Sequence, residues 1–177
     1  MNPVLVCPGI HPRNLTVDFL KSLNSVGLPT ADWLVFPAER LAPYDGFAIA
    51  NFLEQQMSFP ERAPSITILS YSAGVVGALI AARMWQRRGG QIRQFFAWDG
   101  WGAPVTDDFP SFRISHDNFT HRTSCLLGSG CAQFWAEPGV SHHQVWQAPA
   151  QIFGYSSTAG RTQHRNLAVQ LSQWLTT

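Results

Sequence analysis

Residues 65–90 begin Ser65-Ile66-Thr67-Ile68-Leu69-Ser70-Tyr71-Ser72-Ala73-Gly74, continue through an Ala-, Val-, Gly- and Leu-rich run, and close on Arg87-Arg88-Gly89-Gly90. A β-branched strand passes through small residues into a helix, with Ser72 at the turn. Such a strand-to-helix turn holds a serine hydroxyl exposed on a strained backbone. Strand and helix must pass close together there, so small residues are needed two positions to either side, at Ser70 and Gly74. Gly77, Ala78, Ala81 and Ala82 continue a small-residue face that lets the helix lie close to a sheet. The backbone N–H of Ala73, opening the helix, points toward any oxyanion forming beside Ser72.

Strand and helix patterns alternate through the first half of the chain. Strands are expected at Val4–Cys7, Trp33–Phe36, Ser65–Leu69 and Ile92–Trp98. Between them lie helix patterns at Leu15–Leu23, Gly46–Met57 and Ala73–Arg88, the second opened by Asp45 as N-cap. This alternation implies βαβ units and a mainly parallel sheet with helices on both faces. Further on, Phe112–Ser115 and Gln133–Ala136 read as a fifth and sixth strand, and Asn166–Leu175 as a terminal helix. Asp99–Ser111 and Val145–Arg161 read as long loops, a kind that is often functional. The expectation is one α/β domain over residues 1–177, with about six strands.

Composition agrees with a packed globule. The chain has 177 residues, 45% hydrophobic and 13% charged, with seven Trp and twelve Phe. Its net charge of +1 gives no attraction to nucleic acid or to an anionic membrane. No apolar run is long enough to span a bilayer, and the N-terminus lacks a basic signal region. Cys7, Cys125 and Cys131 are odd in number and form no Cys-x-x-Cys pair, which fits reduced thiols in a cytoplasmic protein.

A serine needs a base. His142 and His143 follow the last strand pattern behind Pro138-Gly139, and ligand sites in such sheets form at the carboxyl ends of strands. His142, nearer the strand end, is preferred to His143. Two aspartates could orient it. Asp117 directly follows the fifth strand, and Asp99 directly follows the fourth, before Gly100. Asp117 is the first choice because it lies one strand and one connection before His142; Asp107 and Asp108 read as a solvated loop. A second oxyanion donor is expected from the loop Cys7-Pro8-Gly9-Ile10-His11, where Gly9 permits a tight turn that exposes the N–H of Ile10 or His11.

These parts together resemble a compact α/β-hydrolase of the small serine-hydrolase type without a lid domain. The resemblance rests on Val4–His11 as oxyanion strand and loop, Ser70–Gly74 as nucleophile elbow, Asp117 as acid and His142 as base. The elbow opens on Ser70 where that fold usually has glycine. The resemblance implies hydrolysis of an ester, thioester or related acyl bond by Ser72, with no cofactor and a small-molecule acyl substrate. Trp98, Trp101, Trp135, Trp146, Phe153 and Tyr155 are candidates to wall an acyl pocket.

Two rival readings follow from the same residues. His116, His121, Cys125, Cys131, His142 and His143 crowd 28 residues, but their spacing fits structural zinc poorly. A binding or scaffold protein on a hydrolase fold without catalysis is the stronger alternative.

Overall fold

A computed structural model describes residues 2–57, 60–106 and 108–176; Asp107 lies outside them. The strands are β1 (Val4–Cys7), β2 (Leu34–Val35), β3 (Ile66–Tyr71), β4 (Ile92–Trp98), β5 (Ser111–Ser115), β6 (Ala132–Ala136), β7 (Phe153–Thr158) and β8 (Arg161–Asn166). The helices are α1 (Arg13–Asn24), α2 (Gly46–Met57), α3 (Ala73–Arg87), α4 (Asn118–Cys125), α5 (His142–Gln147) and α6 (Leu167–Thr176). The strands form one sheet in the order β2-β1-β3-β4-β5-β6-β7-β8. β1 to β6 pair in parallel, and β7 and β8 join antiparallel.

Strand alternation splits the interior in two. Val6, Leu69, Tyr71, Phe96, Trp98, Ile114 and Phe134 face one side, where α1, α5 and α6 supply Phe19, Leu23, Trp146, Leu171 and Trp174. Leu5, Cys7, Ile68, Phe95 and Ala97 face the other, against α2 and α3. Helices therefore cover both faces, as the buried strands require. α2 and α3 meet through glycine: a Cβ on Gly46 of α2 would stand 2.3 Å from the Ile80 Cβ of α3.

Six strands are too few. The segment expected as a long loop over Val145–Arg161 instead contains the last turn of α5 and the strand β7, which forms a hairpin with β8. After Phe153-Gly154-Tyr155 its residues are polar, and β8 is mostly exposed, so no run of apolar residues marks it. An edge hairpin held by backbone hydrogen bonds needs no such run. β2 covers only Leu34–Val35, and β3 runs two residues past Leu69. α4 and α5, eight and six residues long, were also not foreseen.

An aromatic stack supports the site from below. Trp146 of α5 is fully buried and lies flat on Phe19, with centroids 3.7 Å apart, and on Tyr71 at 4.8 Å. Trp98 meets it edge-on at 5.3 Å. Replacing Trp146 by Ala removes all three contacts and leaves a cavity, which we expect to cost about 3–5 kcal/mol in a denaturant titration.

Candidate active site

β3 ends at Tyr71 and α3 begins at Ala73, so the chain reverses role within one residue. Ser72 takes φ 53°, ψ −125°, a conformation that costs a side-chain-bearing residue of order 1–3 kcal/mol. Two close approaches hold it there. A Cβ on Gly74 would stand 2.3 Å from the Pro8 carbonyl oxygen, and one on Gly9 would stand 2.8 Å from the Ser72 Cβ. The loop after β1 therefore lies against the elbow, and glycine on each side makes this contact possible. Ala73 is the first residue of α3, where a backbone N–H has no acceptor within the helix. Ile10 sits in the β1 loop with its side chain 69% exposed.

His142 stands at the start of α5, whose N-terminus is fixed by a capping box between Ser141 and Gln144. Its Nε2 is 3.0 Å from Ser72 Oγ, and its Nδ1 is 2.7 Å from Asp99 Oδ2. His143, beside it, is exposed. Tyr71 secures the imidazole in two ways: its hydroxyl donates to the His142 carbonyl at 2.8 Å, and its ring stacks on the imidazole at 4.9 Å. Burial, helped by the charge of Asp99, pushes the phenol far above its ordinary pKa, so it stays a donor. Tyr71 was not foreseen as a site residue; its place beside the serine was the available signal.

Asp99, and not Asp117, is the carboxylate that reaches His142. Its side chain is 1% exposed. Its backbone takes φ 48°, a left-handed turn that aspartate tolerates, and its N–H donates to the Ile114 carbonyl at 2.7 Å. The turn tucks the carboxylate beneath the end of β5. There Oδ1 accepts the His116 backbone N–H at 2.9 Å, while Oδ2 accepts from the Nδ1 of both His142 and His116, the latter at 2.8 Å.

Asp117 is occupied otherwise. It is the N-cap of α4 and accepts the Thr120 N–H at 2.7 Å. Because the connection from β5 to β6 is itself helical, the aspartate two residues past the strand serves as its cap. Partial burial alone would raise its carboxyl; hydrogen bonds from Thr120 and the nearby His116 bring it below the usual carboxylate range. Asp108, expected in a solvated loop, does sit exposed, paired with Arg83 at 3.3 Å.

The expected aromatic wall is dispersed. Trp98 and Trp146 are core residues, Trp135 stacks on His121, and Phe153 and Tyr155 project from β7 beside His164. Trp101 is 71% exposed, in the turn after β4 that also carries Asp99. Next to the site, the 290 Å³ cleft at the carboxyl ends of β1 and β2 is lined by Pro8, His11, Val17, Phe36 and Arg40.

Among the described residues, one group has ligand atoms close enough to hold a metal ion: Asp99, His116 and His142, within 4.8 Å of one another. Both Nδ1 atoms, however, point at the same carboxylate oxygen at hydrogen-bond distance. A metal would require both nitrogens unprotonated and aimed at a shared point about 2.0–2.1 Å away. The geometry is that of two imidazole N–H donors on one acceptor. Cys125 and His121 meet at 3.6 Å, and Cys131 is free and exposed.

The arrangement can move a proton. With Nδ1–H donated to Asp99, the unprotonated Nε2 of His142 accepts from the Ser72 hydroxyl, which makes the oxygen more nucleophilic. No protein-family model matches the chain, and no curated protein matches its sequence. No helix among the described residues is long and apolar enough to cross a membrane.

Proposed function

We propose that the protein is a serine hydrolase of the α/β-hydrolase type, cleaving an ester, thioester or related acyl bond of a small molecule. The observation that carries this reading is the relay from Ser72 Oγ through His142 to buried Asp99, built on a serine at positive φ. Three side chains from three separate turns converge, and a carboxylate at His142 Nδ1 favours the tautomer that a base requires. Structural packing alone needs no such convergence.

In this scheme Ser72 Oγ attacks the substrate carbonyl carbon while His142 Nε2 takes the hydroxyl proton. Asp99 fixes the Nδ1–H tautomer and stabilises the imidazolium that results. The N–H groups of Ala73 and Ile10 hold the oxyanion, each worth roughly 3 kcal/mol when well placed. Collapse of the tetrahedral adduct expels the leaving alcohol or thiol, which takes the proton from His142. Water then attacks the acyl-serine, giving its proton to Nε2; collapse of this second adduct returns that proton to Ser72 Oγ as the acid departs.

The test is covalent labelling. A fluorophosphonate probe should attach to Ser72, located by mass spectrometry of the modified peptide, and Ser72→Ala should remove all labelling. Folded protein that resists the probe would overturn the proposal and favour a binding or scaffold role for the same fold.

A further inference from the structure

Asp99 carries more than the relay uses. Three donors converge on its carboxylate: the His142 and His116 rings, both on Oδ2, and the His116 backbone on Oδ1. The acyl-transfer scheme employs only the first. We propose that His116 is a positioning residue acting through Asp99: His116 takes up the first proton as pH falls and so keeps His142 free to act as base. This rests on the acyl-transfer reading for its catalytic consequence, though the order of protonation stands on geometry alone.

Both rings donate through Nδ1, so each would accept its additional proton at Nε2. The two Nε2 positions differ sharply. That of His142 faces the neutral hydroxyl of Ser72, while that of His116 is 3.5 Å from Asp117 Oδ2. A protonated His116 therefore lies between two carboxylates, and a protonated His142 has only the carboxylate they share. The ring centroids are 6.0 Å apart, so a charge on one ring opposes a charge on the other and the pair titrates as a unit.

The titratable groups facing His116 are Asp99 from the turn after β4, Asp117 from the cap of α4, and His142 from α5. The turn before α5 meets it by backbone, the Val140 N–H donating to the His116 carbonyl at 2.9 Å. The hydrogen bond to Asp99 raises the His116 pKa above the ordinary histidine value. Desolvation opposes this, and the charges of Asp99 and Asp117 reinforce it. With its side chain 24% exposed, the ring is open to protons from solvent.

Two measurements decide the matter. The first is a histidine side-chain NMR titration of the unreacted protein, with the two rings assigned from His116→Asn and His142→Gln. His116 should become protonated at higher pH than His142; the reverse order would overturn the proposal. The second is the pH profile of kcat/KM for an activated ester, each variant normalised to its own alkaline plateau. Asn at 116 can keep an N–H near the position of Nδ1 but carries no charge. Without the cation nearby His142 becomes the more basic, so the acid limb of His116→Asn should move about one unit to higher pH. A merely structural His116 would lower the plateau and leave the limb where it was, which would also overturn the proposal. Should the fluorophosphonate fail while His116 still protonates first, the acyl-transfer reading falls and the proton order survives.

Discussion

Ser72→Ala, His142→Ala and the double variant should all lose turnover of an activated short-chain ester to the same floor, about 10⁶-fold below the parent protein. The reason is the geometry between them. Ser72 Oγ and His142 Nε2 are 3.0 Å apart, and the proposed scheme passes one proton between them in one step. Once either is gone the other has nothing to do, so the second substitution costs almost nothing further. On the proposed scheme, what activity remains would come from the oxyanion donors and from binding, which neither substitution touches. Ser72→Ala leaves the elbow as it is, because the strain belongs to the backbone and the packing of Gly9 and Gly74 is unchanged. His142→Ala also loses the stack on Tyr71, so its thermal midpoint should be measured alongside. A single variant that retains a hundredth of parental turnover would show that the pair does not act as a unit.

Much of this was legible in the chain because the physics involved is local. The strand-to-helix turn at Ser72 announces itself through β-branched residues followed by small ones, and α3, α2 and the parallel strands follow from apolar periodicity. The cap at Asp45 is likewise local, with the Phe47 and Ala48 N–H groups donating to its carboxylate. The β7–β8 hairpin escaped because register and backbone pairing hold it, and neither leaves an apolar pattern. The acid escaped for a different reason. Asp99 and Asp117 both stand just beyond a strand end, and chain order cannot tell them apart. What separates them is the left-handed turn at Asp99 and the helical connection that claims Asp117 as its cap. Both are properties of the assembled β4–β5–α4 unit. Beyond Tyr71's place beside the serine, little in the chain marks Tyr71 or His116 as partners of the site, because their roles depend on contacts distant in sequence: Tyr71 with His142 of α5, and His116 with Asp99 and His142.

Asp99→Asn should lower kcat about 10⁴-fold, the scale that a reversed imidazole tautomer costs in serine proteases, while Asp117→Asn should leave kcat at neutral pH within about threefold. The contrast follows from what each carboxylate accepts. Asp99 takes three donors and donates nothing. An asparagine there has one acceptor oxygen, and its NH₂ must face either the His116 backbone N–H or the two imidazole nitrogens. With the amide oxygen kept on the backbone N–H, both rings turn to the Nε2–H tautomer, and His142 then presents a proton to Ser72 where it should accept one. With the amide reversed, a buried backbone donor is left facing an NH₂ group. Either way the base is lost or the turn is destabilised, although asparagine tolerates the left-handed backbone well. Asp117 accepts mainly from the Thr120 N–H at the start of α4, and asparagine caps a helix about as well as aspartate. Its influence on the site passes only through the proton on His116, so Asp117→Asn should move the acid limb in the same direction as His116→Asn, by less. Steady-state kinetics of the two variants across pH 5–9 would separate the roles. If Asp117→Asn abolished turnover while Asp99→Asn preserved it, the relay through Asp99 would not be the one that works.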